Sequence, residues 1–122
     1  MARARALFNR GDFWGACQAL QALRRGASPV DRDTVQGLFQ VGAAMHKLVA
    51  QDDRGGARLL LDRAIARLDD VGDGALGVDV TALRAEARAW RARIETADLP
   101  AGPVFGLPRL DWSAAGAGDR IR

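Results

Sequence analysis

Residues Val35–Ala50, with the sequence VQGLFQVGAAMHKLVA, form the longest run of low charge in this chain. Apolar residues recur along this run at helical spacing, in two neighbouring stripes. The stripes are Val35, Phe39, Gly42, His46 and Val49, and Leu38, Val41, Met45 and Leu48. A helix that is apolar over most of its circumference is usually covered by neighbours on several sides. We therefore predict a central helix, capped by Asp31 or Asp33, around which other helices pack.

Two glycines, Gly37 and Gly42, lie inside this predicted helix, although each costs about 1 kcal/mol relative to alanine. With Ala43 and Ala44 they leave little side-chain bulk on the helix. We expect other helices to cross the central helix closely at these positions.

Four further helices are predicted around the central one. A short lead-in covers residues 1–10, and helices follow over about Phe13–Arg25, Arg54–Val71 and from Asp79 onward. Asp12, Asp52 or Asp53, and Asp79 are the expected N-caps. Spacings of three and four give each of the last three helices one apolar face. The faces are Phe13, Ala16, Cys17, Leu20 and Leu23; Ala57, Leu60, Leu61, Ala64, Ile65 and Leu68; and Val80, Leu83, Ala87, Trp90 and Ile94.

A shift of 41 residues aligns two of these helices with each other. The aligned pairs are Asp12 with Asp53, Gly15 with Gly56, Ala16 with Ala57, and Leu20 with Leu61. A capped turn, small residues and a leucine in this order resemble helical-hairpin repeats of the tetratricopeptide type, whose period is shorter. We interpret the likeness as two helices that meet the same packing demand, and we expect the helices to pair as hairpins.

No segment shows the alternation of a strand, so the predicted fold class is all-α: a compact bundle of about four to five helices. The length of 122 residues fits one domain. Residues 1–98 are assigned to a helical bundle domain and 99–122 to an extended tail rich in Pro and Gly, since prolines prevent a continuous helix there. This tail is expected to pack on the bundle, because it carries Val104, Phe105, Leu107, Leu110 and Trp112.

Composition narrows the classes of function. No apolar run approaches the roughly 18 residues that span a bilayer, so we expect no membrane association through a spanning helix. Cys17 is the single cysteine, and no secretory signal is visible at the N-terminus, which together favour a cytoplasmic location. The net charge is +3, and residues 1–28 hold five arginines against one acidic residue. This basic end could attract phosphate, but we favour the interpretation that these are solvated arginines on helix surfaces.

Three motifs in order resemble a bacterial and plastid family, domain of unknown function 309. They are FNRGDF at Phe8–Phe13, QGLFQ at Gln36–Gln40 and DRGGA at Asp53–Ala57. The resemblance extends over about residues 7–95 and implies a compact bundle of about five helices. It implies no activity, since the family has none assigned.

The chain departs from that family's pattern on the helix after the first motif. Members carry a Glu, a His-Glu pair, a further Glu and often a Trp, where this chain has Gly15, Cys17-Gln18, Gln21 and Arg24. A His with Glu neighbours suits metal binding or proton transfer, whereas glutamine carries no titratable proton. We therefore expect the ancestral chemistry to be lost. The family-site positions in this chain are Cys17, Gln18, Gln21, Gln36, Gln40 and His46.

His46 is the one histidine, on the face shared by Phe39 and Val49, and we expect a packed, hydrogen-bonded core residue. If Cys17 lies beside it, the pair offers a nucleophile or two metal ligands. A zinc site normally needs three or four protein donors. We therefore predict no catalytic residue, no metal ligand and no cofactor.

The leading hypothesis is a non-catalytic interaction or self-association module, whose partner is a second copy of this chain or another protein. One alternative is a divergent metal-linked or hydrolytic enzyme that uses Cys17 and His46 with a third group, Gln21 or Gln40. The other alternative is a weak phosphate or nucleic-acid binder that uses arginine faces. These include Arg84, Arg88 and Arg91. We do not expect nucleic acid, because aromatic residues for stacking are only 6% of the chain.

Overall fold

The computed structural model describes residues 2–71, 76 and 78–96, and these residues form α-helices without any strand. The helices are α1 (Ala2–Asn9), α2 (Phe13–Arg24), α3 (Pro29–Ala50), α4 (Arg54–Asp69) and α5 (Val80–Glu95). The predicted all-α bundle is confirmed. The predicted tail over 99–122 lies outside the described residues.

Each helix packs on the next one along the chain, and α3 packs against both α2 and α4. A single core runs through all five helices, from Ala4 and Phe8 in α1 to Trp90 and Ile94 in α5. The predicted apolar face of α5 is buried throughout. On α2, however, Leu23 is 36% exposed, because it lies in the last turn, beyond the part of the helix that packs on the core.

The start of α3 differs from the prediction. Ser28, rather than Asp31 or Asp33, is the N-cap, and its Oγ accepts a hydrogen bond from the backbone N of Asp31 at 3.3 Å. Pro29 occupies the first helical position, where the missing N–H has no partner to lose. The helix therefore has 22 residues. At the other end of α3, Val49 is 39% exposed. The stripe that contains Phe39, His46 and Val49 is therefore not buried in the last turn.

The two glycines of α3 are close-approach points, as predicted. A Cβ added at Gly37 would lie 2.5 Å from Cδ2 of Leu68 in α4. A Cβ added at Gly42 would lie 3.0 Å from Sγ of Cys17 in α2. The absent side chains therefore let α4 and α2 approach α3 at two different places.

Three aspartates cap helices in the same way. Asp12, Asp53 and Asp79 each accept a hydrogen bond from the backbone N three residues ahead, at 2.9, 2.8 and 2.9 Å. The residue before each of the first two caps has a left-handed backbone, Gly11 with φ 87° and Asp52 with φ 50°. The two turns that the shift of 41 residues aligns therefore have the same local geometry.

The helices in the ranges given above have between 8 and 22 residues. None of them combines the length and the apolar character that crossing a bilayer demands.

Candidate functional site

A cleft of about 190 Å³ opens between α2 and α3. It is lined by Trp14, Cys17, Gln18, Gln21, Phe39, Ala43, His46, Lys47 and Gln51. The structure thus brings together Cys17, Gln18, Gln21 and His46 from the predicted family-site positions. The other two, Gln36 and Gln40, do not line this cleft.

Helical spacing and one glycine create this cleft. Trp14, Gln18 and Gln21 lie at spacings of four and three, so α2 presents them along one side. On α3, Ala43, His46 and Lys47 follow the same rule. The close approach of α2 at Gly42 brings these two surfaces together, while the small side chain of Ala43 leaves the space between them open.

Cys17 lies at the base of the cleft as a protonated thiol. Its side chain is 3% exposed, and Sγ donates a hydrogen bond to the backbone O of Phe39 at 3.5 Å. Burial raises the pKa of this thiol to about 12. Since the thiolate is the nucleophilic form, Cys17 is inert at neutral pH.

His46 packs against an aromatic side chain at the mouth of the cleft. The ring centroids of Trp14 and His46 are 5.5 Å apart, with an angle of 40° between the ring planes. The imidazole is half-buried, and no described residue forms a hydrogen bond with it. The expectation of a hydrogen-bonded core histidine is therefore wrong. His46 lies at the edge of the apolar stripe, where the stripe turns from the core towards the cleft.

Gln36 and Gln40 lie elsewhere on α3. Gln40 lines an open depression of about 530 Å³ together with Asp33, Arg63 and Arg67. The Oε1 atoms of both glutamines are buried and have no hydrogen-bond partner in the part of the chain that the structure covers. Four of the family-site positions therefore share the cleft, Gln36 and Gln40 lie outside it, and Gln40 cannot be the third group beside Cys17 and His46.

Metal binding depends on the donor atoms that the fold brings together. Within residues 2–71, 76 and 78–96, no group of three or more His, Cys, Asp or Glu side chains is arranged to hold a metal ion. The cleft itself offers Cys17 and His46, together with glutamine amides and with Lys47, which forms an ion pair with Asp53 at 3.7 Å. This donor set falls short of the three or four protein ligands that zinc normally takes.

The basic stripe of α5 is engaged in ion pairs with α4. Arg84 and Arg88 lie 3.3 and 3.0 Å from Oδ1 of Asp69. Arg91 lies 2.8 Å from Asp62 and 2.8 Å from Glu95. The hydrogen bonds that Glu95 accepts from Arg58 and Arg91 lower the pKa of its carboxyl group. A phosphate group would therefore compete with these carboxylates for the same guanidinium groups.

A second depression, of about 390 Å³, lies where α2 ends and α3 begins. It is lined by Gln21, Arg24, Arg25 and Arg32. The sequence did not reveal this depression, because Arg32 belongs to a different helix and its approach to the end of α2 depends on the turn at Gly26.

Of the cleft residues that the sequence did not predict as site residues, Trp14 is the largest. It falls outside the apolar face of α2, and 58% of its surface is exposed. The sequence feature that could have identified Trp14 is a large aromatic side chain on the polar side of an amphipathic helix.

A search of curated proteins finds no match for this sequence. Residues 1–59 match the family model described as Domain of unknown function (DUF309). This range includes both helices that line the cleft and ends in the second turn of α4, whereas the resemblance was expected to extend to residue 95. Through residues 1–59, which include every residue of the cleft, the chain is similar to the family of the Domain of unknown function (DUF309).

Proposed function

We propose that this protein is a non-catalytic interaction module, whose contact surface is the cleft between α2 and α3. The observation that carries this proposal is the exposed Trp14 beside an apolar concavity. Tryptophan is the residue type that most often anchors protein interfaces, since it offers a large rigid surface with one polar atom. Here its ring already rests on His46, so little freedom is lost when a partner covers it.

The chemistry of the cleft supports a binding role over a catalytic one. Cys17 retains its proton at neutral pH because burial raises its pKa to about 12. Gln18 and Gln21 cannot take up or release a proton in that range. No carboxylate lines the cleft beside His46 to orient its imidazole, and Lys47 is paired with Asp53.

A partner-capture experiment with matched variants tests this proposal. The full chain, Trp14→Ala and Leu59→Ala are immobilised and exposed to native cell extract, and recovered proteins are quantified. Leu59 is a suitable control because it is 50% exposed on α4, away from the cleft. We expect one partner to be retained by the parent and by Leu59→Ala and to be lost from Trp14→Ala. Equal recovery by all three proteins would refute the proposal.

Self-association is the form of this proposal in which the partner is a second copy. Size-exclusion chromatography with light scattering distinguishes it from capture of another protein. We expect a concentration-dependent dimer that Trp14→Ala abolishes if the partner is a second copy. A strict monomer at all concentrations would leave another protein as the partner.

A second candidate function, a divergent hydrolytic or metal-linked enzyme, is favoured by one observation: Cys17 and His46 line the same cleft. An activated cysteine would react with iodoacetamide rapidly at neutral pH. We expect slow alkylation of the folded chain at pH 7 and fast alkylation after denaturation. Rapid alkylation of the folded chain would favour the enzyme.

The cytoplasmic location and the bacterial source remain proposals that rest on the sequence. The single cysteine and the family resemblance support them. Immunodetection in fractionated cells of the source organism checks the location.

A further inference from the structure

The outer side of α2 carries a continuous stripe of exposed and half-exposed residues. Trp14, Gln18, Gln21 and Arg25 follow one another at spacings of four, three and four, which keeps them on one side of the helix. At a rise of 1.5 Å per residue, Trp14 and Arg25 lie about 16 Å apart along the axis. The stripe therefore has an aromatic end and a basic end.

The cleft and the depression of about 390 Å³ meet on this stripe. Gln21 lines both the cleft beside Trp14 and the depression at Arg24, Arg25 and Arg32. A segment of a partner that lies along α2 would thus cross from an apolar pocket to a basic one without leaving the surface.

The arginines of the basic depression differ from five of the arginines of α4 and α5. Arg58, Arg67, Arg84, Arg88 and Arg91 each lie within ion-pair distance of a carboxylate. In the described part of the chain, Arg24, Arg25 and Arg32 have no such carboxylate. Arg32 uses one N–H to donate to the backbone O of Ala27 at 3.3 Å, and its side chain, which carries four further N–H donors, lines the depression.

The helix dipoles do not explain the whole group of arginines at this depression. Arg24 and Arg25 lie at the negative end of the α2 dipole, which explains their presence there. Arg32 belongs to the first turns of α3, near the positive end of that helix, where a basic side chain is unfavourable. Arg32 therefore adds positive charge to the depression, although its position near the start of α3 does not favour a basic residue.

We infer that the partner of this surface is an acidic polypeptide segment, with an apolar side chain that enters the cleft beside Trp14 and carboxylates that contact Arg24, Arg25 and Arg32. The inference rests on the proposed function and adds the chemistry of the partner. The separation of about 16 Å equals about five residues of extended chain at 3.3 Å each. The apolar residue and the acidic residues are therefore five or six positions apart in the partner.

Synthetic peptides in an NMR titration of the full chain test both the charge and the spacing. The probe is a ten-residue Gly-Ser peptide with Phe at its second position and Glu at its seventh and eighth. Matched peptides replace the glutamates by glutamines or by lysines, replace Phe by Ser, or bring the glutamates next to Phe. The reporters are the indole N–H of Trp14 and the side-chain Nε–H groups of Arg24 and Arg25.

We expect the acidic probe to shift all of these signals together, and the glutamine peptide to bind about fivefold more weakly, as for two exposed charge pairs. Added salt should reduce this difference. The Phe-to-Ser peptide and the peptide with adjacent Phe and Glu should bind more weakly than the probe.

Charge reversal supplies the matched control. In a variant with Arg24→Glu and Arg25→Glu, the lysine peptide should bind better than the acidic one. A variant with Arg54→Glu and Arg63→Glu has the same net charge but alters exposed residues of α4, and should keep the preference of the parent. Circular dichroism melts check that both variants fold.

The possible results separate the two proposals. Equal, Trp14-dependent binding of the acidic and glutamine peptides would overturn the acidic partner and leave the interaction module intact. Binding that shifts only the arginine signals, with no effect of Phe, would reduce the surface to an anion site and also overturn the inference. Absence of any shift at Trp14 with every peptide would overturn the inference, while partner capture still decides the proposed function.

Discussion

Gly42 shows how one missing side chain fixes the position of two helices. A Cβ at this residue would already be 3.0 Å from Sγ of Cys17 and 3.8 Å from the backbone O of Phe13. The variant Gly42→Leu should therefore lower the free energy of unfolding by about 1–3 kcal/mol, because the larger side chain overpacks the crossing. Thermal and urea denaturation measure the loss. Gly55→Leu is the control, since the nearest atom to a Cβ there is 4.0 Å away. If Gly42→Leu melted like the parent, the close crossing would be wrong.

Because the thiol of Cys17 is buried, the free energy of unfolding depends on pH in the alkaline range. Its pKa rises from 9.0 in the unfolded reference to about 12 in the folded chain, so the unfolded chain loses this proton first. The contribution is fully present below pH 9 and is lost progressively as pH rises towards 12. The chain contains no tyrosine and one lysine, so few other groups titrate in this window.

We therefore expect the free energy of unfolding to fall by on the order of 1 kcal/mol between pH 9 and pH 10.5. Urea denaturation at these two values measures the fall. The variant Cys17→Ala should lack most of it. An equal pH dependence in parent and variant would contradict the assignment of this effect to Cys17.

Local spacing was enough to predict the burial of Cys17, but not the contacts of the site. The spacing of Cys17 from Phe13 and Leu20 placed it on the buried face of α2. Its meeting with His46 required the crossing at Gly42, which is a tertiary contact. Trp14 was not predicted as a site residue, because one exposed aromatic residue creates no periodic pattern in the sequence of a helix.

At the scale of the helices, α2 and α4 begin with equivalent structures. In both, the residue before the cap has a positive φ, and the capping aspartate accepts a hydrogen bond from a glycine N. Asp12→Ala and Asp53→Ala should each cost about 1 kcal/mol, because the first turn of the helix loses the acceptor for one backbone N–H. Asp31→Ala, which removes a carboxylate inside the first turn of α3 without removing a cap, should cost less. Denaturant melts of the three variants measure these differences, and equal losses would show that charge rather than capping matters.

Tertiary packing explains why α3 begins earlier in the sequence than predicted. The residues between Ser28 and Val35 are largely polar, so the sequence alone favoured caps at Asp31 or Asp33. In the fold, Asp33 accepts a hydrogen bond from Arg67 of α4 at 2.9 Å, and Thr34 is fully buried. The ion pair of Asp33 with α4 and the burial of Thr34 favour a helix that extends beyond its apolar run.

At the scale of the molecule, the family match and the folding unit have different extents. The match ends at residue 59, within α4, whose buried side chains come mostly after that point. Leu68 fills the space left by Gly37 on α3, and Leu61 and Ala64 belong to the same core. A chain that stopped at residue 59 would leave one side of the central helix open to water. The cleft, by contrast, lies entirely within the matched residues.

We therefore expect a fragment of residues 1–59 to contain every residue of the cleft and yet fail to fold. Its circular dichroism should show reduced helicity and no cooperative melting, because the apolar area of α3 that α4 covers stays exposed. A fragment of residues 1–98, the predicted bundle domain, should melt in one cooperative transition, since its core is continuous from α1 to α5. If the shorter fragment also melted cooperatively, α4 and α5 would be accessory to the fold, and the side of α3 that they cover would have to be buried in another way.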